Sequence, residues 1–342
     1  MKKVRFGVVG TNFITDWVIA GAKEDPRFEL AAVCSRTQQR GEEFAAKYGI
    51  PHIFTSLEEM AASDKVDAIY IATPNCTHAE SSILCMQHGK HVLCEKPLAS
   101  NAAEARKMVA ASNKYGVTLM EAMKSTLSPA FQSVKEIIHR IGTPRRYFAS
   151  FCQYSSRYDK FKEGIILNAF RPELSNGALM DIGVYTIYPL VALFGYPQSI
   201  DAQGVMLSSG VDGQGAVNMQ YDGMNATILY SKIANSQLPA EIEGEEGNIV
   251  IDRIQTPTEV RFYPRQAPAS GHEVRSTGEA LHTADNHNEY YYEIKEFIDL
   301  IENGQLESST NSHECSIRSL EIMDEVRRQL GVHYPADETS SL

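Results

Sequence analysis

Val4-Arg5-Phe6-Gly7-Val8-Val9-Gly10-Thr11-Asn12-Phe13-Ile14-Thr15 decides the fold. The apolar run Val4–Val9 stops at a glycine, which reads as a buried strand. Phe13–Ala22 follows with helical character. A glycine between a buried strand and a helix start is where a dinucleotide-binding fold places its phosphate turn. Gly10 supplies the tight turn, and the helix start beyond it offers N–H donors and partial positive charge to a pyrophosphate. The G-x-G-x-x-G spacing is degraded: Asn12 stands at the second glycine and Thr15 at the third. Asn tolerates positive φ, so the turn is still expected to form, with the Asn12 side chain turned away from the pyrophosphate or bonded to it. Gly10, Thr11, Asn12, Phe13 and Ile14 are candidate cofactor contacts, and an ordinary βα turn is the competing reading.

Outward from this turn the first third of the chain alternates strand and helix. Strands are expected at Phe28–Cys34, Ile53-Phe54, Val66–Ala72, His91–Cys94 and Thr118–Glu121, and helices at Gln39–Tyr48, Leu57–Ala62, Thr77–His88 and Ala102–Tyr115. Ser56, with Glu59 three residues on, has the capping-box pattern. Repeated βαβ units imply a right-handed, mostly parallel sheet with helices on both faces. After about Ala122 the texture changes. Ser128–Arg140 and Gly177–Phe194 read as helices, Arg145–Tyr154 as a strand, and Gly215–Tyr221, Asn225–Ser231 and Asn248–Asp252 alternate at period two as in an antiparallel sheet. Pro264–Ala284 reads as a surface loop, Glu289–Asn303 and Ser312–Leu330 as amphipathic helices, and Pro335–Leu342 as a frayed polar tail. The fold class is α/β: a Rossmann-type doubly wound parallel sheet over residues 1–122, then an α+β domain over 123–342 with a large, mostly antiparallel open sheet.

Composition bounds the function. The chain has 342 residues, enough for two domains, and 43% hydrophobic against 22% charged residues is ordinary for a globular protein. A net charge of −11 with no basic run argues against a nucleic-acid partner. No leader-like apolar region follows Met1-Lys2-Lys3, and no apolar stretch looks long enough to cross a bilayer, so no membrane partner is expected. Six cysteines without CxxC spacing read as reduced thiols of a cytoplasmic protein, without a metal site.

The end of the second strand bears on the cofactor. An NAD-binding chain usually carries Asp or Glu there for the ribose 2′-hydroxyl. This chain has Cys34-Ser35-Arg36, with Arg40 one turn on. Ser35 can bond a 2′-phosphate, and Arg36 can pair with it or stack on adenine. The expected cofactor is therefore NADP rather than NAD; solvated helix-start arginines are the alternative. Cys94-Glu95-Lys96-Pro97 closes the strand His91–Cys94, which places Lys96 at the mouth of the cofactor crevice, with Pro97 a candidate cis residue that would aim it.

Four segments in register resemble the Gfo/Idh/MocA family, the group of glucose-fructose oxidoreductase and inositol dehydrogenase. They are Gly7-Val8-Val9-Gly10-Thr11; Ile71-Ala72-Thr73-Pro74-Asn75 with His78; Glu95-Lys96-Pro97; and Gly177-Ala178-Leu179-Met180-Asp181-Ile182-Gly183-Val184-Tyr185. The resemblance spans nearly the whole chain. It implies that Thr73, Pro74, Asn75, His78, Glu95 and Lys96 join the cofactor set, and that Lys96, Asp181 and Tyr185 are catalytic. Asp181 and Tyr185, four residues apart, share a helix face. Much of the family has His where this chain has Tyr185, which resembles the branch with dimeric dihydrodiol dehydrogenase. A free Tyr has a pKa of about 10, so Lys96 and the nicotinamide cation would have to stabilise its phenolate. Tyr185 then exchanges the proton, Lys96 tunes it, and Asp181 orients substrate hydroxyls. Arg157, Tyr158 and Asn168 are candidate sugar contacts or, equally, a surface loop; Lys124, with Pro129, falls where the family has a short basic segment under the nicotinamide.

The function expected is hydride transfer between NADP and a CHOH or C=O carbon of a small-molecule sugar, polyol or cyclic diol. The alternative is a non-catalytic sensor of dinucleotide or sugar on the same fold, which need not keep Lys96, Asp181 and Tyr185 together. A metal-dependent hydrolase lacks a histidine ligand cluster. A homodimer or homotetramer through the sheet of the second domain is expected, since a broad apolar sheet face needs a cover.

Overall fold

A computed structural model describes residues 3–266, 278–283 and 287–338. The first eleven elements run β1 (Val4–Val9), α1 (Phe13–Ala22), β2 (Phe28–Cys34), α2 (Gln38–Tyr48), β3 (His52–Phe54), α3 (Leu57–Ala62), β4 (Ala68–Ile71), α4 (His78–Gln87), β5 (His91–Glu95), α5 (Ala102–Tyr115) and β6 (Leu119–Ala122). Their strands form one parallel sheet in the order β3-β2-β1-β4-β5-β6. Local chemistry explains the boundaries. Thr37, Ser56 and Asn101 cap α2, α3 and α5 through their side-chain oxygens, and Gly49 and Gly116 end α2 and α5 in the left-handed conformation.

The chain divides into two compact units that a contiguous split at 122/123 does not match. Residues 1–124, 287–320 and 334–342 form the first; 125–286 and 321–333 form the second. The first unit is discontinuous because β1 and β2 need a cover that the local helices do not complete. Helix α10 (Tyr291–Glu302) supplies it, with fully buried Phe297 against Phe6 at 5.9 Å between ring centres. Arg27 fastens this helix: its guanidinium bonds Asp25 at 2.7 Å, Asp299 at 2.7 Å and Glu302 at 2.8 Å.

The second unit holds the short helix at Ser125–Leu127 that begins with Lys124 (α6), then α7 (Pro129–Ile137), β7 (Pro144–Cys152), α8 (Tyr158–Lys162), α9 (Val184–Phe194) and β8 (Ser199–Met206). β9 (Asp212–Tyr221), β10 (Met224–Ser231), β11 (Ala240–Gly244), β12 (Gly247–Ile251), β13 (Val260–Pro264) and β14 (Glu279–His282) complete an eight-stranded sheet, ordered β14-β13-β12-β11-β7-β10-β9-β8. It is mostly antiparallel, with one exception the sequence pattern did not reveal: β7 and β10 run parallel. Inward residues such as Tyr147, Ala226, Ile228, Ile242 and Ile249 are fully buried, and the Tyr147 hydroxyl bonds the Thr186 carbonyl of α9 at 3.1 Å. After α10, α11 (His313–Leu330) and α12 (Pro335–Glu338) end the described chain.

Three expectations need correction. The stretch read as a loop over 264–284 contains β14, and its residues 267–277 and 284 lie outside the described ones. The tail is helical over Pro335–Glu338, and 339–342 lie outside the description. Contrary to the sequence reading, 172–194 is long and apolar enough as a helical run to cross a bilayer; 72% of its apolar window is buried inside the protein, which marks a core helix.

Candidate active site

In the first unit the carboxyl ends of β1, β4 and β5 converge. Gly10 has φ +101°, and a Cβ there would stand 2.4 Å from the Ala72 carbonyl oxygen, so only glycine fits. Asn12 departs from expectation. Its backbone is extended, so no positive φ is needed, and its side chain caps α1 by accepting from Ile14 and Thr15 N–H. Its amide donates to the Ala72 carbonyl at 2.9 Å. Thr15, fully buried, donates its hydroxyl to the Gly10 carbonyl at 2.9 Å. The residues that replace the two glycines thus brace the turn, and Ile14 N–H is spent on the cap. Phe13 is half exposed, edge-on to Trp17 at 5.0 Å.

At the end of β2, Ser35 is buried while Arg36 and Arg40 are exposed, and among the described residues neither guanidinium has an ion-pair or hydrogen-bond partner. Thr37 spends its hydroxyl on the Arg40 N–H, which begins α2 and aligns this turn. A cradle that admits only glycine and two uncommitted cations beside a serine fit the pyrophosphate and 2′-phosphate of NADP.

The loop after β4 is braced internally. The Thr77 hydroxyl bonds that of Thr73 at 2.8 Å and the Pro74 carbonyl at 2.9 Å, and Asn75 is buried. His78, expected to touch cofactor, is fully buried. Its ring nitrogens meet the carbonyls of Pro97 at 3.0 Å and Thr73 at 2.9 Å, and burial pushes its pKa down. It ties the β4 loop to the Lys96–Pro97 loop and presents no free nitrogen to a ligand. The Lys96–Pro97 peptide is cis.

Beneath Lys96 lies a cluster the sequence reading missed. Glu95 is buried; it accepts from the Tyr70 hydroxyl at 2.5 Å and from the Lys96 N–H at 3.2 Å. Glu121, 3% exposed, accepts from the Leu98 N–H at 3.0 Å. Glu293, 1% exposed, has neither carboxyl oxygen hydrogen-bonded. Burial raises all three pKa values, Glu121 to about 7, and the charge of Glu95 raises Glu293 further. Lys124, expected at the substrate, is instead buried here, ion-paired with Glu289 and 4.4 Å from the Tyr290 ring centre. No periodic pattern announces such a cluster, because its members come from β4, β5, β6, α6 and α10.

In the second unit the helix expected over Gly177–Phe194 begins as a wider π turn over Leu179–Gly183 and continues as α9. Such turns recur at functional sites. Gly177 has φ +148°, and a Cβ there would lie 2.3 Å from Asp212 Oδ1. Asp212, 1% exposed, accepts from the Leu179 N–H at 2.7 Å, and burial raises its pKa to about 6. It caps the helix from 33 residues away, beyond the reach of a local motif. Asp181 lies on the π turn, ion-paired with Lys232; Tyr185 is half-buried with its ring edge-on to Phe151 at 5.7 Å. Tyr158 stacks on Phe161 at 5.9 Å and joins a small core around Phe170. Arg157 precedes α8, and Asn168 is exposed with its carbonyl holding the Asn176 amide at 2.9 Å.

Residues 4–123 match the oxidoreductase family with the NAD-binding Rossmann fold, and 131–250 match the GFO/IDH/MocA C-terminal domain. The chain belongs to the Gfo/Idh/MocA family of oxidoreductases. A scyllo-inositol 2-dehydrogenase (NADP(+)) of Bacillus subtilis is 51% identical over 335 residues, 98% of this chain and 99% of that one. A mouse trans-1,2-dihydrobenzene-1,2-diol dehydrogenase is 31% identical over 349 residues, 98% of this chain and 99% of that one. The fold is also that of levoglucosan dehydrogenase solved with NADH and levoglucosan: the TM-score is 0.83 over 96% of this chain and 98% of that one, at 20% identity.

The buried carboxyls give a pH-dependent stability. Glu121 has a folded pKa of about 7 against 4.5 when free, so its contribution is full below pH 4.5 and is lost as pH rises through 7. Glu121→Gln keeps the acceptor for Leu98 and removes the ionisation. In urea unfolding it should match the wild type near pH 4.5 and exceed it at pH 8 by up to about 3 kcal/mol. Parallel pH profiles for the two proteins would refute this.

Proposed function

We propose that this chain is an NADP-dependent oxidoreductase that moves a hydride between the nicotinamide and a carbinol carbon of a sugar, polyol or cyclic diol. One observation carries the reading: the glycine-only cradle at Gly10 stands beside a strand end with Ser35, Arg36 and Arg40 in place of a carboxylate. Kinship along the whole chain to an NADP(+)-dependent inositol dehydrogenase supports it.

The backbone N–H groups of Thr11 and Asn12, beside the Gly10 turn, would hold the pyrophosphate, and Ser35 with Arg36 and Arg40 would hold the 2′-phosphate. Thr73, Pro74 and Asn75 form the wall after β4, kept in place by His78. Bound there, the dinucleotide supplies the hydride acceptor or donor. Tyr185 exchanges a proton with the reacting oxygen, and Asp181 accepts a hydrogen bond from a neighbouring hydroxyl. Lys96 contributes positive charge at the end of β5. Arg157 and Asn168 are candidate hydroxyl contacts; Tyr158, committed to its aromatic cluster, shapes the wall behind them.

The assembly is a homodimer or homotetramer through the outer face of the eight-stranded sheet. That face sets half-buried Phe148, Leu229, Val250 and Tyr263 among Thr227, Glu241 and Asn218, the mixed surface of a polar-rimmed interface. Light scattering at micromolar concentration should give at least a dimer mass; a monomer would refute it. The compartment is the cytoplasm, in keeping with six free thiols, and cell fractionation checks it.

Arg36→Ala should weaken NADP+ binding at least tenfold and leave NAD+ binding nearly unchanged, as measured by calorimetry. Equal wild-type affinity for the two nucleotides would refute the preference. Tyr185→Phe keeps the ring and removes the proton. It should lower kcat by about a hundredfold or more while NADP+ still binds. Wild-type turnover in that variant would make Tyr185 a packing residue.

A further inference from the structure

Lys232 follows β10 directly, and its backbone is pinned on both sides: its N–H donates to the Gly213 carbonyl at 2.8 Å, and its carbonyl accepts from the Ser155 N–H at 2.9 Å. The side chain is only 6% exposed, yet it ends in an ammonium group beside Asp181, with the Phe170 ring centre 6.0 Å away. Asp181 itself is 31% exposed. The cation is therefore buried beneath an anion that solvent reaches from the other side. Burying an ammonium group costs its hydration, and an apolar side chain of similar volume fills such a space at lower cost. What the lysine adds is a charged carboxylate held in one orientation on the π turn, one helical step from Tyr185. Among the described residues, the ionisable groups packed about this turn include Asp212 from β9, which accepts from the Leu179 N–H, and Tyr230 from β10, whose ring lies under Gly183.

We propose that Lys232 is a positioning residue for the reaction, and that the Lys232–Asp181 pair selects substrates with a second hydroxyl beside the reacting carbon. The inference rests on the reading of Asp181 and Tyr185 given under Proposed function. Lys232 keeps Asp181 aimed, and Asp181 accepts a hydrogen bond from the neighbouring hydroxyl, which sets the reacting carbinol against Tyr185. A carboxylate fixed in this way rewards a vicinal diol over its monodeoxy analogue, because without that hydroxyl Asp181 loses a hydrogen-bond partner.

The test uses the full-length protein with NADP+, a vicinal polyol and its analogue deoxygenated next to the reacting carbon. Lys232→Met should lower kcat/KM for the polyol by ~30-fold or more. It should leave the analogue's rate nearly unchanged and NADP+ affinity intact. Lys232→Arg should restore most of the rate. If Lys232→Met alone does not fold, the double variant Lys232→Met/Asp181→Asn removes both charges together. It should then show the same kcat/KM as Asp181→Asn alone, and a further loss would overturn the inference. Equal losses on both substrates would also overturn it, while leaving the wider reading intact. If the wild type oxidises no sugar, polyol or diol, the wider reading falls, and this inference with it.

Discussion

The carbonyl oxygen of Ala72 is the point on which the first unit's chemistry depends. It lies at the end of β4, beside the end of β1, where the strand order 3-2-1-4-5-6 reverses direction. A Cβ at residue 10 would sit 2.4 Å from it, and the Asn12 amide bonds it at 2.9 Å. A single acceptor therefore sets both the glycine turn and the cap of α1. The Thr15 hydroxyl closes the same turn from the far side through the Gly10 carbonyl. In an open α/β sheet this reversal point is where ligands bind, and here Gly10, Asn12 and Thr15 all brace it.

Buried charge is handled differently in the two units. Glu95, Glu121 and Glu293 lie within the first, and burial favours their protonated forms; Glu293 without hydrogen-bond partners is consistent with a carboxyl that stays neutral. In the second unit Asp181 and Lys232 neutralise each other as an ion pair, and Asp212 is spent on a helix start. Groups spent inside the fold, such as His78 and Lys124, organise loops and cores. Those left exposed, such as Arg36 and Arg40, remain open to ligands.

Much of this was legible in the sequence because it is written locally. The apolar run ending at Gly10, the capping Ser56 and the period-two strands each depend on neighbours a few residues apart. The family was legible because its four segments lie in order along the chain. What escaped depends on partners far apart in sequence. Lys232 meets Asp181 across 51 residues, Asp212 caps Leu179 across 33, and Arg27 reaches Asp299 across 272. The parallel β7–β10 pair and the return of α10 to the first unit are of the same kind, since strand register and helix docking follow from packing that no local window contains. Asn12 was misread because a residue at a glycine position was judged by its backbone tolerance, whereas its side chain found a cap.

The central claim is that this family member oxidises a carbinol carbon by handing its hydride to NADP+. A polyol carrying deuterium on its carbinol carbons tests this most directly, with the label then located in the recovered nucleotide by NMR. The account predicts deuterium at C4 of the nicotinamide, on one face only. Reduced nucleotide without the label, or no reduced nucleotide from any sugar, polyol or cyclic diol, would contradict it.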